Sequence, residues 1–128
     1  MITLANIRDW LRTVVDSPVW ASGKMGVGPE SITIYSTTGQ ASRIAIGGLE
    51  NTSSANKTVS ILVHWTKNSN TAELKAQEVY KAMLGQTATI GGKRVIMFNM
   101  RHPEPLGVGT DSEGYFEYVI EVNIVYAR

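Results

Sequence analysis

At 128 residues, with 43% apolar and 18% charged residues, the chain has the size and composition of one folded domain, residues 1–128, and not of a disordered segment. A formal charge of +1 excludes the bulk electrostatic drive toward nucleic acid or anionic membrane that a strongly basic domain has. The lack of cysteine excludes disulfides, thiolate zinc sites and cysteine nucleophiles.

Leu4, Ile7, Trp10, Leu11 and Val14 recur at helical spacing, so a first helix is expected from about Thr3 to Val15, ended by Ser17-Pro18. Arg8 and Asp9 interrupt the apolar core a secretion signal would need, and no stretch approaches the roughly 18 to 20 apolar residues of a membrane span. A soluble protein, intracellular where it is made, is expected. The glycines of residues 22–29 predict an irregular connection. Glu30–Ser36 alternates, with Ile32 and Ile34 on one face, as a half-buried strand does. Thr37–Gln40 reads as a turn, Arg43–Ile46 as a short return strand, and Asn51–Asn56 as a flexible loop.

Lys57–Thr66 is the strongest central strand, with Val59, Ile61, Val63 and Trp65 on one face and Leu62 on the other. A second helix follows, with Asn70 as its N-cap, Glu73 three residues on, Gly85 at its end, and a stripe of Ala72, Leu74, Ala76, Tyr80, Met83 and Leu84. Gly91-Gly92 separates a Thr87–Ile90 segment from a strand at Lys93–Met100, where Ile96, Phe98 and Met100 oppose Val95 and Met97. Arg101–Gly114, with its prolines, glycines and acids, reads as a long loop. Phe116, Tyr118, Ile120, Val122, Ile124 and Tyr126 then occupy every second position of a long final strand, leaving Tyr115, Glu117, Val119, Glu121, Asn123 and Val125 on its other face. The expected class is α+β: a mainly antiparallel, mixed sheet with two helices packed on one face.

No motif in the chain carries chemistry. His64 reads as a strand histidine, hydrogen-bonded or half exposed, and His102 has no second histidine at ligand spacing. The Gly26-Val27-Gly28 and Gly107-Val108-Gly109 clusters lack the dinucleotide and triphosphate fingerprints. Glu104, Asp111 and Glu113 lack the ligand positions of a calcium loop, and Ser53, Ser54 and Ser60 lack a nucleophile elbow. Neither catalytic residues nor a metal or cofactor is expected. An enzyme or ligand-binding module would have to use His102, Glu104 and Asp111 in the 101–114 loop.

Ile46–Ser53, Val59–Asn68, Glu73, and Ala76 through Tyr80 to Leu84 resemble the minor capsid protein family of tailed phages and prophages of Gram-positive bacteria. In order and length the chain also resembles the tail terminator, or tail completion, proteins. The resemblance implies a mixed sheet flanked by helices and a structural virion protein of the phage neck, without catalytic residues. It further implies a ring, commonly of six subunits, that caps the tail tube and joins tail to head. Its implied partners are further copies of the chain, the major tail tube protein and a head-completion or connector protein, with genome DNA passing through the lumen without sequence-specific binding and no membrane contact. A head-completion protein is the alternative within the same assembly. Loops at Gly47–Asn56 and Arg101–Gly114 are expected to be mobile and to meet neighbours. The candidate assembly residues are Asn51, Lys57, Arg101, His102, Glu104, Asp111, Glu113, Tyr115 and Val119.

Overall fold

A computed structural model of the chain describes residues 1–24, 28–37 and 54–128. Thr3 opens helix α1, Leu4–Leu11, through a capping box. Its hydroxyl accepts the Asn6 N–H at 3.1 Å, and Asn6 Oδ1 accepts the Thr3 N–H at 3.0 Å. The helix stops at Leu11, four residues short of the expected Val15. Thr13 bonds back to the Trp10 carbonyl through its hydroxyl and its N–H, at 2.6 and 2.9 Å, which tightens the last turn. The tightening turns Val15 into the core and leaves Val14 half exposed, correcting the helical face read from the sequence.

Strand β1, Val19–Ser22, falls in the stretch around the proline and the glycine-rich connection, where no strand was expected. It pairs in parallel with β2, Ser31–Ser36, and this pair makes the sheet mixed. Ser31 and Thr33 are as buried as Ile32 and Ile34, so β2 is covered on both faces at its start rather than half-buried. Residues 38–53, which include Thr38–Gln40 of the expected turn, the Arg43–Ile46 strand and Asn51, lie outside the described residues.

Strand β3, Ser54–His64, begins earlier than Lys57. Ser54, Ala55 and Asn56, read as part of a loop, pair with Ala127, Tyr126 and Val125 of the last strand, whose length supplies ladder partners that override their weak strand preference. Val59, Ile61, Val63 and Trp65 are buried together, as the alternation predicts. Helix α2, Ser69–Met83, is capped by Asn68 and not by Asn70: Asn68 Oδ1 accepts the Thr71 N–H at 3.0 Å. The helix buries Ala72, Ala76, Val79, Tyr80 and Met83. Leu74 and Leu84 are exposed, and Val79 fills the core position. Gly85, at φ +71°, ends the helix as expected.

Strands β4, Ala88–Ile90, and β5, Lys93–Met100, form the expected hairpin through Gly91-Gly92, both at positive φ as a type I′ turn requires. The β5 alternation is broken by a bulge between Val95 and Met97. Val95 and Phe98 therefore both enter the core, while Ile96 and Met97 are exposed, contrary to a strict two-residue period. Arg101–Gly114 is not an unstructured loop. It contains β6, Leu106–Thr110, paired with the first part of β7, Phe116–Ala127. Strands β5 and β6 thus lie in series along one edge of β7, bridged by residues 101–105, while β3 follows the other edge.

The strand order is β1-β2-β3-β7-β5-β4, with β6 beside β7. Helix α1 touches β1 and β2 at one end of this order and β4 at the other, so the sheet curls around it. Trp10 stacks on Phe98 with ring centroids 5.1 Å apart. Helix α2 covers β7 and β3. The two helices and the inward residues Ile120, Val122, Ile124 and Tyr126 of β7 share one core, which gives the expected α+β class.

Candidate functional site

In an antiparallel pair, residues directly opposite one another lie on the same face of the sheet. The register therefore places His64, Leu62, Ser60 and Thr58 of β3 beside Glu117, Val119, Glu121 and Asn123 of β7 on the face away from the helices. Two features of this face stand out. Leu62, Val119 and Leu106 form an apolar row across β3, β7 and β6. Leu106 and its neighbour Val108 are both exposed, Val108 because the bulge between Gly107 and Gly109 takes it out of the ladder. Further along, Thr58, Asn99, Arg101 and Asn123 line a polar cleft of about 150 Å³, in which the Thr58 hydroxyl donates to Asn123 Oδ1 at 3.0 Å.

At the other end of the same face, His64 is almost fully buried, at 3% exposure. Its Nδ1 meets the Pro29 carbonyl, and its Nε2 lies 2.6 Å from Asp111 Oδ2. A carbonyl and a carboxylate only accept, so a proton on each ring nitrogen satisfies both contacts, the arrangement that suits an imidazolium paired with a carboxylate. Burial, the largest single influence on His64, works against that charge. The hydrogen bonds to Asp111 and Pro29, with the negative charges of Asp111 and Glu117, outweigh it and raise the histidine above its ordinary value. Asp111 is held below the usual carboxylate range, first by the bond from His64 and then, against partial burial, by the backbone N–H groups of Tyr115 and Glu113. The Tyr115 ring lies against His64 at 5.5 Å between centroids, and Lys67 Nζ stands 5.2 Å from the centre of that ring.

Residues 19–128 match the family model for the bacteriophage tail terminator protein. The chain belongs to the bacteriophage tail terminator family. No curated protein and no solved structure matches it. Tail terminators are structural proteins of the virion, and the matched span runs from the first residue of β1 to the end of β7, taking in the apolar row and the histidine pair. The resemblance to tail terminators noted in the sequence is thereby borne out.

Within this tail terminator, the structure separates the groups an enzyme would have combined. The His102 carbonyl accepts the Tyr80 hydroxyl at 2.8 Å, and its Nε2 lies 3.6 Å from Glu121 Oε1. Asp111 bonds instead to His64 and to the Tyr115 N–H. Glu121 and Tyr115 are separated by about 20 Å of extended chain. Glu104 lies with Pro103 and Pro105 beside the C-terminal turn of α2, lining a groove with Tyr80, Lys81 and Leu84. Both nitrogens of His64 are engaged within the fold, one by the Pro29 carbonyl and one by Asp111. Among the described residues, no three His, Cys, Asp or Glu side chains converge as metal ligands, and no helix is long and apolar enough to cross a membrane.

Of the remaining candidates, Lys57 stands opposite Ile124, half-buried, and Arg101 follows β5 with its N–H donating to the Glu121 carbonyl at 3.0 Å. Asp111, Glu113 and Tyr115 share the β6–β7 turn, and Val119 centres the apolar row. No pattern in the sequence announces the pairing of His64 with Asp111. The run Thr110-Asp111-Ser112-Glu113-Gly114 does carry the signature of an aspartate-closed turn.

Proposed function

We propose that this chain is the subunit of a ring, commonly of six copies, that caps the tail tube of a phage and joins the tail to the head. The membership of residues 19–128 in the tail terminator family carries this reading, and favours it over a head-completion protein. A ring closes through heterologous contacts, two different patches of one subunit meeting in rotation. The face away from the helices supplies a suitable patch. There β6 exposes all five of its residues and its outer edge is unpaired among the described residues. The Leu62–Val119–Leu106 row runs up to that edge, flanked by Arg101, His102 and Glu121 on one side and by Asp111, Glu113 and Tyr115 on the other.

In this reading Val119, Tyr115, Asp111, Glu113, Arg101 and His102 meet a neighbouring subunit or the head, with Glu104 at the margin; Lys57, paired with the inward-facing Ile124, lies on the helix side of the sheet and outside this patch. The major tail tube protein and a head-completion or connector protein are the other partners. The protein is made in the host cytoplasm and ends in the virion neck, with DNA passing through the lumen. Native mass spectrometry of the purified chain, alone and with tail tubes, tests this directly. A closed ring bound at one end of each tube is expected. A chain that remains monomeric and unbound with tubes present refutes the proposal.

A further inference from the structure

The turn joining β6 to β7 is organised around Asp111. Its N–H donates to the Tyr115 carbonyl at 3.0 Å, and its own carbonyl accepts the Gly114 N–H at 3.2 Å. Oδ1 accepts the Glu113 and Tyr115 N–H groups at 2.9 and 3.0 Å. Oδ2 is left to reach across to β3, where it meets His64. The same imidazole binds the Pro29 carbonyl, so one buried ring ties together the segment before β2, the end of β3 and the β6–β7 turn.

We infer that His64 and Asp111 form a protonation-dependent latch that holds the β6–β7 turn against β3. The physical basis is the placement of two acceptors around one ring. With both nitrogens protonated, every contact is a hydrogen bond. Once one proton leaves, a nitrogen lone pair of the buried ring faces either the Asp111 carboxylate or the Pro29 carbonyl, and an unmatched polar contact there is costly. The turn is the exposed partner in this contest, since Ser112 and Glu113 lie in solvent while His64 is held in a central strand. Loss of the proton therefore releases the turn.

The charged and titratable groups around the ring favour the closed state. Asp111 and Glu113 come from the turn. Glu117 stands directly opposite His64 on β7. Tyr115 packs on the ring, with Lys67 above it. On the β2 side, Glu30 follows Pro29 in the chain, and Tyr35 lies further along the same face, where it senses Glu117. Carboxylates outnumber Lys67 in this set, which matches the raised titration of His64, while the lowered titration of Asp111 comes from the bond from His64 and the N–H groups of Tyr115 and Glu113. The latch stands independently of the ring reading, because it concerns the isolated subunit.

The test uses the full chain labelled with ¹⁵N. Below the ordinary imidazole value of 6.5, the His64 ring should show two protonated nitrogens, and it should keep them above that value. Amide protection at Glu113 and Tyr115, corrected for intrinsic base catalysis, should then fall about tenfold for each pH unit between the unfolded and folded titration points of His64. Asp111→Asn supplies the discriminating variant. Its carbonyl oxygen can still accept the two backbone N–H groups, while its amide donates to a neutral imidazole, so His64 should titrate below 6.5 and the turn should stay protected at high pH. A wild-type His64 ring carrying one proton at or below 6.5 overturns the inference. So does protection at Glu113 and Tyr115 that is flat through the His64 titration, or an Asp111→Asn protein with the wild-type pH dependence.

Discussion

Two neighbouring substitutions on β7 separate folding from assembly. Ile120 faces the helices, is 2% exposed and lies directly opposite Ile61. Ile120→Asp removes about 1.5 to 3 kcal/mol of aliphatic burial and adds several kcal/mol for placing a carboxylate in the core, against a total stability of about 5 to 15 kcal/mol. Val119, one residue earlier, faces the opposite way between Leu62 and Leu106 and is half-buried. Val119→Asp loses part of that burial, some strand preference, and gains repulsion from Glu117 and Glu121 on the same face, which together cost about 1 to 2 kcal/mol. Thermal melts followed by circular dichroism should show Ile120→Asp unfolded and Val119→Asp folded with a modestly lower Tm. Completion of infectious tails should then fail in both, for different reasons. A folded Val119→Asp protein that completes tails normally removes this face from the interface. An Ile120→Asp protein with an unchanged melt shows that the register of β7 is wrong, because a slip of one residue exchanges the two faces.

Other consequences are local. Gly91→Ala puts a side chain at φ +58° with its Cβ 2.6 Å from Asn6 Oδ1, so it should cost about 1 to 2 kcal/mol for the backbone and more for the disturbed α1 cap, read by urea denaturation; a wild-type midpoint refutes the hairpin's packing on α1. Asn68→Ala should cost about 0.5 to 2 kcal/mol, while Asn70→Ala should stay within about 0.5, and the reverse order in denaturation would restore Asn70 as the cap. Stability should depend on pH at both limits. Because the His64 titration is raised, its contribution is complete below 6.5 and is lost as pH rises through the folded value; because that of Asp111 is lowered, its contribution is present above 3.8 and is lost as pH falls through the folded value. His64→Gln should flatten the alkaline limb of the stability profile, and an unchanged limb counts against the ion pair.

The sequence discloses most where one side of an element is buried and the other is not. In β7 the period of two shows in the burial from Ile120 to Tyr126, where each inward residue is buried in the core and each outward one is only partly covered, while Phe116 and Tyr118 pack partly against that core. The Gly91-Gly92 hairpin is legible because both positions need positive φ. Strand β6 is not, since Leu106-Gly107-Val108-Gly109-Thr110 buries nothing and its strand state is imposed by the ladder that β7 offers. The β5 bulge is hidden for another reason: Val95, Ile96, Met97 and Phe98 are all apolar, so nothing in the pattern marks the residue at which the faces exchange. The α2 cap is ambiguous in the sequence because Asn68 and Asn70 both suit the role and Glu73 fits the later one. The histidine pair needs more than pattern. Asp111 reaches His64 only once the register has placed His64 opposite Glu117 and the turn after β6 has folded back over it.

The division of labour along β7 leaves one end of it less restrained than the other. On one edge β3 accompanies the strand along its length, and on the other the ladder is split, with β5 serving the C-terminal half and β6 the N-terminal half. Strand β5 is anchored by Val95 and Phe98 in the core and is flanked by β4. Strand β6 has neither anchor: it is short, fully exposed and open along its outer edge among the described residues. Elements with few buried contacts open at the least free-energy cost, so the hairpin end is where a neighbour could reorganise the subunit without disturbing the core shared by the helices and Ile120, Val122 and Ile124. An unrestrained edge there would also be open to indiscriminate strand pairing. The bond from His64 to Asp111 ties the turn to β3, on the far side of β7, while Leu106 and Val108 stay exposed.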